Sequence, residues 1–394
     1  MHLDRARAAL PDLSWEEVSP RALPRLVPPA TPLGPLRRAL KSARRPVLLV
    51  NDDARVLLDG LGDVLAELWE GASRPPLLVA TGTHRSDPAR MRDLLGGLPL
   101  ELHDCDRAED HTRLGEAAVD RRVAAADLVL AFGSVEPHYF AGWTGAHKTA
   151  TIGVCDRATI ERNHRHALDV RAAPLVLEGN PVFEGLAGLV AAVEQGRRLL
   201  CVNHVLDEEG RALGVAVGTW RGSLERAARV ARRRFAAPIA APADLVVAEV
   251  HGPLAESLYQ ADKGIKNTEA CVRDGGDLVL LAPLPRGLGA ARFVELLRRA
   301  PDLAAAQAQV EREGYVLGDH KAVRLRALQA RGVRLHVASE RLDPAALEGT
   351  GLQAYPSLDA ALAAVEARRG RALWVHDAGV CVPEVRAEDT TPSD

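Results

Sequence analysis

The stretch 132–166, FGSVEPHYFAGWTGAHKTATIGVCDRATIERNHRH, carries His138, His147, His164, His166 and Lys148 within 35 residues, interleaved with glycines. Imidazoles titrate near neutral pH, so such a cluster can move protons or bind a metal, and a lysine beside a glycine-rich bend adds a nucleophile or anion partner. The end of GWTGAHKT imitates a phosphate-binding loop, but that motif needs glycine where His147 stands, which counts against a P-loop nucleotidase. No HExxH occurs, which removes the common zinc-protease pattern. A second group, Asn51, Asp52, Asp53 and Arg55, follows an apolar run in VLLVNDDAR. A third, Thr81, Gly82, Thr83, His84 and Arg85, follows LLVA, with Ser86 or Asp87 available to cap a helix and backbone amides able to face a phosphate. Both groups are also ordinary turn compositions. Gln260, Lys263 and Lys266 in LYQADKGIKN form a fourth group, suited to a carboxylate or phosphate at a cleft mouth or to a solvated helix face. His320 and Lys321 in GYVLGDHKA read more simply as an exposed helix.

Strands must deliver these groups. Continuous apolar runs at 45–53, 74–84, 126–134, 243–252, 276–284 and 332–339 predict strands covered on both faces, as in a parallel sheet. Stretches with helical spacing at 57–69, 185–198, 291–299 and 321–330 lie between or beyond them. The expected fold is α/β, with two α/β domains of largely parallel sheet and a site in the cleft between them, at strand carboxyl ends. Residues 199–218 read instead as a hairpin around DEEG. The Ala/Pro segment 236–243 reads as a linker, dividing a cofactor-binding domain, 1–240, from a closing domain, 241–394; the EDTTPSD tail, 388–394, is expected to be disordered.

Length and composition narrow the function classes. A chain of 394 residues with 47% hydrophobic and 26% charged residues is globular and long enough for two domains. Lys and Arg (50) nearly balance Asp and Glu (53), so no basic excess points to nucleic acid. No apolar stretch reaches the ~20 residues of a membrane helix. The charged start, MHLDRARAALPDL, is unlike a secretory leader, and five scattered cysteines give neither a disulfide framework nor a zinc knuckle. A cytoplasmic location is expected.

Taken in order, VNDDAR, ATGTHR, EPHYFAGWTGAHK, TIERNH and YQADKG resemble the LarA family, the nickel-pincer lactate racemases and related 2-hydroxyacid racemases and epimerases. The likeness is clearest over residues 45–290. It implies a nickel-pincer nucleotide (pyridinium-3,5-bisthiocarboxylic acid mononucleotide nickel) tethered as a thioamide to Lys148, with His164 completing the Ni coordination. It implies that His84 and His138 act as acid and base on opposite faces of the substrate, with Asp52 and Arg55 beside them. Gln260 and Lys263 fall on the second-domain pair near the substrate. Thr81, Gly82, Thr83, Gly142 and Gly145 are expected against the cofactor.

The implied reaction inverts C2 of a 2-hydroxycarboxylate. The α-hydrogen beside a carboxylate is very weakly acidic, so moving it as hydride avoids a dianion. One histidine takes the hydroxyl proton and the other returns it, while Arg55 and Lys263 hold the carboxylate and polarise the carbonyl. The implied partners are a small 2-hydroxycarboxylate and cofactor-biosynthesis proteins, with no nucleic acid and no membrane. Where the family bend carries more glycine and a basic residue before its lysine, this chain has Ala146 and His147, which makes His147 a rival metal ligand. Two further readings stand open: a nucleotide- or phosphate-binding protein, and a metal-dependent hydrolase or lyase using the His/Asp cluster directly.

Overall fold

The computed structural model describes residues 2–28, 30–70, 75–290 and 292–385. The expected tail, 388–394, lies outside them. The chain forms two compact units, one of Ala22–Arg234 and one of Met1–Arg21 with Phe235–Asp394. The expected first domain, 1–240, is thus corrected at both ends. The strands of the two large sheets are numbered here in chain order, beginning with β1 (Leu13–Val18), which follows a helix at His2–Ala9.

Unit 22–234 holds β2 (Pro46–Asn51), β3 (Leu77–Ala80), β4 (Glu101–Leu102), β5 (Leu128–Ser134), β6 (Arg198–Leu206) and β7 (Ala212–Gly218). Their order is β7-β6-β5-β2-β3-β4. All neighbours are parallel except β6 and β7, which form the expected antiparallel hairpin. The unbroken apolar runs have the reason anticipated. Val47 and Leu49 of β2 pack on one face with Val129 and Ala131 of β5, while Leu48 and Val50 pack on the other with Leu130 and Phe132. Helices Leu33–Ser42 and Leu61–Trp69 cover the second face, and Pro181–Glu194 covers the first.

The other unit holds β8 (Ala243–Glu249), β9 (Val272–Leu281), β10 (Arg334–Ala338), β11 (Leu352–Tyr355) and β12 (Gly370–Val375). With β1 they make an all-parallel sheet, ordered β1-β12-β8-β9-β10-β11. Residues 1–21 therefore complete the sheet of the C-terminal unit. The expected linker is also corrected: Ala236–Ile239 is a strand paired in parallel with Val382–Val385, and Ala243 already belongs to β8. Ala/Pro composition suggested a tether because pairing with a segment 146 residues away leaves no local signature. All five cysteines are buried and none forms a disulfide, and among the described residues no helix is long and apolar enough to cross a membrane.

Candidate active site

Three adjacent parallel strands, ordered β5-β2-β3, end at three of the segments singled out in the sequence. In such sheets the carboxyl ends of strands are where loops can converge on a ligand. Asp52 follows β2, residues 81–85 follow β3, and Glu136 and His138 follow β5.

His84 Nδ1 lies 2.8 Å from Asp52 Oδ2. Asp52 is almost fully buried and the His84 ring is one-third exposed. Nδ1 therefore carries the proton that the carboxylate accepts, and Nε2 keeps its lone pair, the tautomer of a general base. The turn before it is internally satisfied. Thr81 Oγ1 donates to the His103 carbonyl at 2.6 Å, Gly82 N donates to Gly153 O at 3.0 Å, and His84 N donates to Thr81 O at 3.0 Å. The hydroxyl of Thr81 and two of the amides thought able to face a phosphate are thus already engaged. Residues 81–86 instead form one wall of a ~200 Å³ cavity whose other wall is 102–107.

Arg55 Nη1 donates to Glu136 Oε1, and both side chains are about one-seventh exposed. Sequence reasoning did not single out Glu136. Its signal was present in the EPH triplet, two residues before His138.

His138 sits in a two-residue hairpin, Pro137–His138 against Gly142–Trp143. The Ala141 N–H donates to its Nδ1 at 3.3 Å, so a neutral ring carries its proton on Nε2. The gathering point is Phe140, also unforeseen. Its ring centroid is 4.5 Å from that of His138 and 5.1 Å from that of His164, and Lys148 Nζ lies 5.9 Å from it. The Phe140 carbonyl accepts from Asn180 Nδ2 at 3.0 Å, and the same buried Asn180 caps helix Pro181–Glu194 through its Oδ1.

Lys148 is carried on a single turn, Ala146–Thr149. Gly133 of β5 lets that turn lie against the sheet, since a Cβ there would meet Ala146 N at 2.4 Å. Asn203 of β6 caps it, accepting from Ala146 N at 2.8 Å through Oδ1. Gly145, at φ 144°, is required because a Cβ would stand 2.6 Å from that same oxygen. Gly142, at φ 76°, would put a Cβ 2.0 Å from Val176 O. Both glycines thus have packing reasons of their own.

His164 lies on helix Arg157–Arg165, where its Nδ1 bonds to Ile160 O at 2.9 Å. That carbonyl can only accept, so Nδ1 donates and Nε2 keeps the lone pair a metal would need. His147, the rival ligand, is corrected. Its ring is fully buried against Phe183 and Trp220, neither ring nitrogen has a hydrogen-bond partner, and burial, with the Lys148 charge second, pulls its pKa down to about 3. His166 is exposed at the end of its helix. The hydrolase reading needs a free His/Asp cluster. Among the described residues the grouping with ligand-like spacing is Asp104, Cys105 and Asp106, and Arg157 holds Asp106 at 2.6 and 2.9 Å.

In the other unit, half-buried Gln260 and Lys263 lie one turn apart on helix Leu258–Thr268. Between them Asp262 is buried and takes an ion pair from Lys321 at 3.0 Å. His320 and Lys321 are each 1% exposed, which corrects their reading as a solvated helix face. His320 Nδ1 bonds the Tyr315 hydroxyl at 2.7 Å.

Comparison with known proteins adds independent findings. A model of the lactate racemase N-terminal domain matches residues 29–174, and one of the lactate racemase C-terminal domain matches 239–382. A lactate racemase from Thermoanaerobacterium thermosaccharolyticum is 26% identical over 317 residues, 74% of this chain and 71% of that protein. A lactate racemase from Lactiplantibacillus plantarum is 26% identical over 247 residues, 58% and 57% of the two chains. Among solved structures, the lactate racemase apoprotein from T. thermosaccharolyticum matches with a TM-score of 0.77 at 19% identity, covering 98% of this chain and 93% of that one. A Thermotoga maritima protein matches at 0.68 and 14% identity, covering 89% and 97%. These structural likenesses establish the fold.

Proposed function

The chain belongs to the lactate racemase family, and from that premise we propose that it inverts C2 of a 2-hydroxycarboxylate, with His84 and His138 as the acid/base pair. The observation that carries the reading is the gathering of His138, His164 and Lys148 around the Phe140 ring, joined through Glu136 and Arg55 to the loop that also supplies Asp52, to which His84 of the neighbouring loop is bonded.

The residues fit the family's nickel-pincer nucleotide. His164 offers an imidazole Nε2 whose ring is already oriented by a carbonyl, a donor type that suits nickel. Lys148 offers an amine 5.9 Å from the Phe140 ring centroid as a candidate thioamide tether. When bound, that group supplies a hydride acceptor and donor for the substrate's C2 carbon. The chain's own residues do the remaining work. Arg55 holds the substrate carboxylate by charge-assisted hydrogen bonds. His84 Nε2 takes the hydroxyl proton, and Asp52 stabilises the imidazolium so formed. His138 presents its Nε2 proton to the oxygen on the opposite face. Gln260 and Lys263 are assigned to the substrate, and Thr81, Gly82, Thr83, Gly142 and Gly145 to the cofactor's surroundings. Cofactor-building proteins are the implied partners in a cytoplasmic setting.

The test is protein co-produced with a cofactor-building pathway, assayed for loss of optical activity across lactate, malate, 2-hydroxyglutarate, aryl-lactates and aldonates. Racemisation of at least one acid, with added mass on the peptide containing Lys148, is expected. Undiminished racemisation by Lys148→Ala would refute the reading.

A further inference from the structure

The cation assigned to the substrate carboxylate already touches a carboxylate of the chain, and the two ends of that pair are held unequally. Arg55 lies in the irregular segment between β2 and the helix at Leu61–Trp69. Glu136 is locked at its backbone: its N–H donates to Thr144 Oγ1 at 2.9 Å, and its carbonyl accepts from Thr144 N at 2.9 Å. The Thr144 hydroxyl donates in turn to Ser134 O at 2.7 Å, and Thr144 is 1% exposed. Glu136 therefore reaches out from an anchored backbone and Arg55 from an irregular segment, so the guanidinium is the group being placed.

We propose that Glu136 is the positioning and specificity-determining residue of this site, holding one edge of Arg55 so that the rest of the guanidinium meets a single ligand carboxylate, and repelling ligands that bring a second. The inference rests on the racemase reading for the ligand being a 2-hydroxycarboxylate. A guanidinium presents five N–H donors in a planar fork and one carboxylate engages at most two, so Glu136 and a ligand can share it. The charges of this unit's site set the selectivity. Asp52 and Glu136 are two carboxylates, His84 meets Asp52 through a ring N–H, and Arg55 is already compensated by Glu136. The Lys148 amine is assigned to the tether. A monoanion gains the open edge of Arg55, whereas a dianion brings a further charge toward two fixed negative groups.

The experiment compares wild type, Glu136→Gln and Glu136→Asp. Cofactor-loaded enzyme is assayed on lactate and on malate, and Arg55 in the unloaded proteins is labelled with phenylglyoxal and read by peptide mass. Glu136→Gln keeps the shape and removes the charge. It is expected to raise the malate-to-lactate ratio of kcat/KM at least ten-fold, through KM, and to speed labelling of Arg55 several-fold. Glu136→Asp is expected to restore most of both. A general loss of folding lowers both substrates alike and leaves the ratio in place, so a ratio changed less than two-fold, or labelling at the wild-type rate, overturns the proposal. If loaded wild type racemises neither acid, the racemase reading fails only when the rest of the panel is inert as well. Glu136 is then judged by labelling: faster modification in Glu136→Gln, with malate gaining protective power relative to lactate, supports it, and no change overturns it.

Discussion

His84 and His138 are the same residue type held in opposite hydrogen-bonding states. The Asp52 carboxylate fixes the His84 proton on Nδ1, while the Ala141 N–H occupies His138 Nδ1 and leaves the neutral ring's proton on Nε2. In the proposed reaction one imidazole would start as a base and the other as a donor, as two-sided proton transfer to a planar keto acid needs. Asp52→Asn would bond to either tautomer of His84 and lose the charge that supports its protonated form. We expect kcat to fall about 10²–10⁴-fold, with nickel content and KM near wild type, in the loaded enzyme. The metal assignment predicts the complementary pattern by elemental analysis: His164→Ala loses nickel, and His84→Ala keeps it. Nickel lost from His84→Ala and retained by His164→Ala would reverse the assignment. The parts of the site legible in sequence were those with their chemistry in the residue type, at the ends of readable strands. The Arg55–Glu136 pair was not, because it joins groups 81 residues apart. Nor was the seclusion of His147, since a histidine sealed in an aromatic core and one facing a ligand have the same letter.

At the scale of elements, the site depends on close backbone approaches more than on helix strength. The turn bearing Lys148 is only four residues long, so its placement comes from Asn203, Gly133 and Gly145. The hairpin bearing His138 is two residues a side and depends on Gly142. Gly142→Ala would combine a left-handed backbone with a contact no relaxation of one side chain can relieve, because the obstacle is the Val176 carbonyl. A cost of at least ~2 kcal/mol is expected, seen as a melting point lowered by ~5 °C or more. Gly188 is the internal control. It is exposed within helix Pro181–Glu194 with nothing near its missing Cβ, so Gly188→Ala should stabilise by up to ~1 kcal/mol. Equal effects of the two substitutions would show that the hairpin is not under the constraint described. Continuous apolarity exposed the strands to a reading of sequence because burial on both faces writes itself locally. The helix at Leu258–Thr268 was harder to read, since buried Asp262 and Lys266 make its inner face look solvated.

Over the whole molecule, buried histidines make stability depend on pH. Burial lowers His204 to about 4, and burial with the neighbouring His111 charge does the same to His103, while His147 is lower still. An unfolded histidine titrates near 6.5, so between that pH and about 4 the unfolded chain binds more protons than the folded one. Stability is therefore full above pH 6.5 and falls on acidification, by about 1.4 kcal/mol per pH unit for each such histidine. Replacing His147 by Leu should remove one such increment from the slope for unit 22–234, read by hydrogen exchange against wild type. The assignment of residues 1–21 to the C-terminal unit has a sharper consequence, which sequence could not disclose because β1 meets a strand more than 350 residues away. β1 pairs with β12 over six positions, from Leu13 opposite Gly370 to Val18 opposite Val375. Leu3, Ala6, Leu10 and Leu13 join Leu245, Val247 and Trp374 in one apolar cluster. Removing residues 1–21 strips away those leucines, worth ~1.5–3 kcal/mol each when fully buried, and bares the edge of β12. That is a large fraction of a typical stability of ~5–15 kcal/mol. Hydrogen exchange on the truncated chain should show protection lost in 245–249 and 370–375 and retained in 46–51 and 128–134. Equal loss in both sets would mean that the N-terminal strand supports both units, and unchanged protection in 370–375 would mean that β12 is held without it.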